Sequence, residues 1–167
     1  IITTAGGIEE DIIKCLGDFI LGDFKAGGKE LREKGINRAG NIFIPNSLYI
    51  KFEKFVLPVL EEIYKVQKRT GRIFTPSELI WKLGEKINDK NSICFWACKN
   101  KIPIFCPAIG DGSLGDMIYF FKSNHDDFKL DVVEDILKLN NTSLGKEKTG
   151  MIILGGGVVK HSICNAN

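Results

Sequence analysis

Three short apolar runs in this chain each break into a glycine-bearing loop that leads towards an amphipathic segment, and this recurrence limits the possible folds more than any other feature. Ile1–Thr3 runs into Thr4-Ala5-Gly6-Gly7, Ile102–Phe105 into Pro107–Asp116, and Met151–Leu154 into Gly155-Gly156-Gly157. Strand, loop and helix recurring in that order predict an α/β domain with a mostly parallel sheet covered by helices. In such sheets ligands bind outside the carboxyl ends of the strands. Thr4–Asp11, Pro107–Asp116 and Gly155–Asn165 all fit that position.

The segments between the loops carry readable helix signals. Ile8, Ile12 and Leu16 fall on one face at helical spacing. Asn46 is the expected cap of a long helix reaching about Gln67, with Phe52, Phe55, Val56, Val59, Leu60 and Ile63 inward and Pro58 kinking or breaking it. Thr75-Pro76-Ser77-Glu78 reads as a capping box with proline in the first turn. Further helices are expected at Ile93–Lys99 and about Asp131–Leu139. Residues 22–46 read as loop with a short extended piece at Asn41–Ile44.

With 167 residues the chain is one domain or a large piece of one, and it can bury a core without disulfide or metal staples. The net charge of +2 excludes a general nucleic-acid binder, which needs a strong basic excess. The longest apolar stretch, Met151–Val159, holds three glycines and is far shorter than the ~18 residues a membrane helix requires. No secretory signal is visible at Ile1-Ile2-Thr3-Thr4, and without an initiator Met the chain reads as beginning inside something larger. Five cysteines, an odd number, point to a reducing compartment, hence the cytoplasm. Cys94 and Cys98 can share a helix face, but no second Cys/His pair has zinc spacing, so no metal is expected.

Each loop has a functional and an ordinary reading. A glycine turn opening a helix is an anion cradle, yet Glu9, Glu10 and Asp11 would repel a phosphate placed directly there. They suit a cationic ligand or a ribose hydroxyl, or they only complement the helix dipole. Asp111 and Asp116 either act at the carboxyl end of a strand or cap a helix. Gly155-Gly156-Gly157 falls short of the dinucleotide fingerprint because Lys160 stands where its last glycine should be. If a helix follows, His161 and Asn165 share one face at i, i+4; His161 alone is the kind of histidine that is usually structural or on the surface.

The strings TTAGGIEEDIIKCL, GKELREKGINRAGNIFIPN, DGSLGDMIYF and TGMIILGGGVVKH closely resemble deoxyhypusine synthase, and the similarity runs through essentially all 167 residues. The resemblance implies a three-layer, Rossmann-like NAD-binding domain, present here as a single partial unit over residues 1–167. It implies an NAD-dependent transferase that moves the aminobutyl group of spermidine, through an enzyme lysine, to one lysine of the hypusine-bearing translation initiation factor. By resemblance Thr4, Ala5, Gly6, Glu10, Asp111, Ser113 and Gly156 would contact NAD. Glu9, Glu10, Asp116, His161 and Asn165 would line the spermidine pocket. The family is a homotetramer with active sites between paired subunits. Its Schiff-base lysine lies in a C-terminal segment past Asn167, so no lysine here is assigned that role and this piece alone is expected to be inactive. Many relatives have two adjacent histidines where this chain has His161-Ser162. The alternative is a non-catalytic NAD-binding fragment or a regulatory paralogue that assembles with an active subunit. A sirtuin-like deacylase ranks last, because it would need a Cys-x-x-Cys zinc pair.

Overall fold

The apolar spacing of the first helix is satisfied by burial. In the computed structural model, which describes all residues 1–167, Ile8, Ile12 and Ile13 of α1 (Ala5–Leu16) are fully enclosed. Their partners are Phe52, Val56, Val59, Leu60 and Ile63 of the long α3 (Asn46–Thr70), Leu79, Ile80 and Leu83 of α4 (Pro76–Ile87), and Leu114 of α6 (Ser113–Asn124). Between α1 and α3 the chain makes β1 (Ile20–Leu21), α2 (Gly28–Glu33), β2 (Ile36–Ala39) and β3 (Ile42–Pro45). α5 (Ile93–Lys99) lies between α4 and the Pro107–Asp116 loop, here called the central loop, and α7 (Val132–Ser143) and α8 (Val158–Ala166) close the chain.

The sheet is a correction to the sequence reading. It has three antiparallel strands in the order β1-β3-β2, and it lies in the region read as loop. The β2–β3 hairpin turns on Gly40-Asn41, with Gly40 at φ 63°, a conformation in which glycine pays no steric penalty. Parallel pairing is confined to two single bridges, Ile2 with Phe105 and Phe74 with Leu130. Thr3 N–H donates to Phe105 O at 3.0 Å, and Phe105 N–H to Ile1 O at 2.9 Å, so the first two of the three apolar runs do meet side by side. Met151–Leu154 forms no strand, and Ile152 and Leu154 are 89% and 92% exposed. A hairpin needs only a tight turn, whereas a parallel ladder needs several non-local neighbours in register. Here Ile1–Thr3 and Ile102–Phe105 find one such neighbour, and Met151–Leu154 finds none.

Two smaller expectations also change. Pro45 is the N-cap of α3, and Asn46 is already helical; its Oδ1 accepts from Asn37 Nδ2 at 2.6 Å. Pro58 is accommodated inside a helix that continues to Gly71, whose φ of 73° ends it. The expected capping box at Thr75 and Glu78 is fully formed: Glu78 N–H donates to Thr75 Oγ1 at 3.3 Å and Thr75 N–H to Glu78 Oε2 at 3.0 Å. Asp131 caps α7, which runs on to Ser143. No helix is long and apolar enough to cross a membrane.

Candidate functional site

α1 opens at Thr4, whose hydroxyl accepts from Gly7 N–H at 3.1 Å. The Ala5 and Gly6 N–H groups have no acceptor within the chain, so two donors at the positive end of the helix stay available. Beside them Thr3 and Thr4 share a cavity of 450 Å³ with Ile152–Leu154, Gly156 and Lys160. A Cβ built on Gly156 would touch nothing, so this wall is open rather than packed. Thr4 and Gly156 line this open cavity, and Ala5 and Gly6 follow Thr4 at the same helix end, so these are the residues able to hold an anionic group there.

One turn further on, α1 presents Glu9, Glu10 and Asp11, and these three separate into different roles. Asp11 is buried: its carboxylate accepts from Ser92 Oγ at 2.7 Å, Ile93 N–H at 2.8 Å, Cys94 N–H at 3.0 Å and Lys14 Nζ at 2.8 Å. It holds the start of α5 against α1. Burial alone would raise its pKa, but these donors outweigh it and the group titrates below its usual range. Glu9 is also buried, and its Oε1 accepts from Leu114 N–H at 2.7 Å at the start of α6. Burial raises its pKa, the Leu114 N–H opposes the rise, and the nearby charges of Asp111 and Asp116 add to it. The nearby Ser113 Oγ is buried without a hydrogen-bond partner.

Glu10 is half-buried, and Asp111 and Asp116 are exposed. Tyr49, at the start of α3, stands near Glu9 and Glu10 and shares a groove with Asp116. Its phenol pKa is raised by burial and by the charges of Glu9 and Glu10. Tyr49 also lines a groove of 790 Å³ between α3 and α6, together with Ser113, Asp116, Glu53, Glu61 and Phe120. Of the candidate residues Ser113 and Asp116 line this groove, with the further carboxylates Glu53 and Glu61; Glu9 stands near Asp111 and Asp116, and Glu10 near Tyr49, but Glu9, Glu10 and Asp111 do not line it. Such a groove favours a ligand with cationic ends and a methylene body.

α8 is placed less tightly. Asn165 and Ser162 border a cavity of 240 Å³ with Cys106 and Pro107, where the central loop begins. His161 is exposed; its backbone N–H donates to Gly157 O, and the side chain joins neither that cavity nor the Tyr49 groove. Sequence reasoning did not find Tyr49, because its link to α1 is a tertiary contact with no local spacing. Asp11 was read with Glu9 and Glu10 as suiting a cationic ligand or a ribose hydroxyl, or as a dipole partner, and not as the buried joint between α1 and α5.

The deoxyhypusine synthase family model matches residues 1–167, the whole chain. The chain belongs to the deoxyhypusine synthase family. It is 56% identical to a Methanocaldococcus jannaschii protein named "Probable deoxyhypusine synthase", covering 100% of this chain and 53% of that protein. A Drosophila melanogaster protein of the same name is 52% identical over 100% of this chain and 45% of its own length. A crystal structure from Entamoeba histolytica, described as a deoxyhypusine synthase, superposes with a TM-score of 0.73 at 36% identity, covering 95% of this chain and 48% of that one. The chain thus spans about half the length of the curated deoxyhypusine synthase relatives it matches.

Proposed function

We propose that this chain forms the spermidine-binding and part of the NAD-binding surface of an enzyme that transfers the aminobutyl group of spermidine to a lysine of the hypusine-bearing translation initiation factor. The observation that carries this reading is a groove lined by the carboxylates Asp116, Glu53 and Glu61 with Tyr49 and Ser113, with Glu10 near the Tyr49 phenol. Spermidine is a polycation, and carboxylates spaced along a partly apolar slot hold its amines while its methylenes pack on side chains such as Phe120.

Thr4, Ala5, Gly6, Asp111 and Gly156, with Glu10 and Ser113 beside them, are the residues that would hold NAD. When bound, that cofactor supplies a hydride acceptor in the first step and a hydride donor in the last. The chain's own contribution is to fix the polyamine, so that much of the rate comes from positioning. Asn165 borders a separate cavity beside Pro107 and would meet the substrate only with α8 moved. His161 would meet the substrate only with α8 moved inward from its exposed position, and as a neutral imidazole it could then take a proton.

No lysine lines this groove, so binding without transfer is the expectation for these 167 residues alone; covalent catalysis needs a nucleophile that binding residues do not replace. The parallel, three-layer arrangement implied by the family would grow from the Ile2–Phe105 bridge, with Met151–Leu154 laid alongside Ile1–Thr4. The exposed apolar side chains of Tyr119, Phe120, Ile152 and Leu154 support a homo-oligomer, the tetramer of the family, that covers them. A reducing, cytoplasmic setting agrees with five unpaired thiols.

Calorimetric titration of spermidine into the protein, with and without NAD, tests the reading. Saturable spermidine binding that weakens as salt is raised is expected, with a neutral polyol of similar length giving none. Equal heats from both compounds would refute it.

A further inference from the structure

We infer that Glu9 is a positioning residue, whose carboxylate latches the 107–116 loop to α1 and thereby sets where Asp111 and Asp116 stand. The inference rests on the polyamine and NAD reading above, and it moves Glu9 from the substrate's contacts to the loop's support.

The N-cap of α6 is Gly112, which has no side chain to accept a helix N–H. Helices usually take Ser, Thr, Asp or Asn at that place. Here the acceptor comes from across the fold: Glu9 Oε1 takes the Leu114 N–H, the N2 donor that a local cap would have served. The glycine is the complement of the latch. Gly112 sits at φ 82°, and a Cβ there would lie 2.6 Å from Glu9 Oε1 and 3.1 Å from Oε2. The loop behind it is folded on itself, since a Cβ on Gly115 would meet Gly110 O at 2.1 Å. Asp111 N–H also donates to Ala108 O at 3.0 Å, and Asp116 N–H to Gly112 O at 3.1 Å. These contacts tie residues 108–116 to one another. A carboxylate fixed at the centre of this turn fixes both flanking aspartates, one assigned to the cofactor and one to the polyamine.

A direct amine contact and a latch predict different outcomes for Glu9→Gln and Glu9→Ala. Glutamine loses the charge but keeps an oxygen for Leu114 N–H, and its amide can also donate to the unpartnered Ser113 Oγ. For the latch, Glu9→Gln should hold spermidine and NAD affinities within about threefold of the parent, and Glu9→Ala should weaken both together by about tenfold or more. A direct ligand would instead lose spermidine in both variants and leave NAD unchanged, which would overturn the inference.

Amide hydrogen exchange at Leu114 gives a readout independent of either ligand. Protection retained in Glu9→Gln and lost in Glu9→Ala supports the latch, and protection unchanged in Glu9→Ala refutes it. If the parent protein binds neither ligand, the polyamine reading falls, while Leu114 exchange still decides for or against the latch. Should Glu9→Ala fail to fold, Glu9→Gln remains decisive, because selective loss of spermidine there refutes positioning and retention of both ligands supports it.

Discussion

Replacing Asp11 by alanine should cost this fold about 3–4 kcal/mol, more than any other single carboxylate on α1, because its donors differ in what they can do next. Cys94 is 2% exposed, so its N–H cannot turn to water and loses about 2 kcal/mol once unpartnered. The Ser92 hydroxyl, in a fully buried residue, adds about 1 kcal/mol, although it keeps Phe95 N–H as a donor to its oxygen. Ile93 is 57% exposed and its N–H can be rehydrated, and Lys14 is exposed enough that losing its ion pair costs little. For a domain of this size the total lowers the melting temperature by about 10 °C. Asp11→Asn keeps one acceptor oxygen and should lose roughly half as much. Urea titration of both variants, monitored by helix signal and by tryptophan fluorescence, gives the difference directly. An Asp11→Ala variant within about 1 kcal/mol of the parent would refute the claim that this carboxylate joins α1 to α5.

The pH dependence follows from the opposed shifts of two neighbours. Asp11 titrates below its usual 3.8, so its contribution is complete above that value and is lost as pH falls through its folded pKa; Asp11→Asn should flatten the acid limb of the stability curve. Glu9 titrates above its usual 4.5, so its contribution is present below that value and is lost as pH rises through its folded pKa; Glu9→Gln should be no less stable than the parent at neutral pH. Gly84→Ala should destabilise the fold by about 2 kcal/mol or more, since its Cβ would lie 2.4 Å from Cys94 O where α4 crosses α5, and denaturation of the purified variant would show it.

What the sequence disclosed depended on how local each signal was. Thr75, Pro76 and Glu78 announce a helix start because the capping box is complete within four residues, and Ile8 and Ile12 mark a buried face by spacing alone. The Gly40-Asn41 turn between Ile-Asn-Arg-Ala and Ile-Phe-Ile-Pro was readable as a hairpin, but the surrounding glycines made the region look like loop. Met151–Leu154 is apolar enough for a strand and has no pairing neighbour, so composition over-read it. The candidate site divides in the same way. Its loops were visible as glycine turns after apolar runs, whereas the links that assemble them, Glu9 to Leu114 and Tyr49 to Glu10, join residues far apart in the chain. Family resemblance supplied the residue assignments that spacing left open between capping and binding.

The central claim, that Asp116 serves the polyamine and Asp111 the cofactor, is tested most directly by paired titrations of spermidine and NAD on Asp116→Asn and Asp111→Asn, with melting temperature as a control. Both side chains are exposed, so each amide variant should fold. Loss of a hydrogen bond to a charged amine should weaken spermidine about 10- to 100-fold in Asp116→Asn while NAD binding stays nearly intact, and Asp111→Asn should weaken NAD first. Equal loss of both ligands in Asp116→Asn, or no loss of either, would contradict the assignment and leave Asp116 as a residue that only complements the α6 dipole.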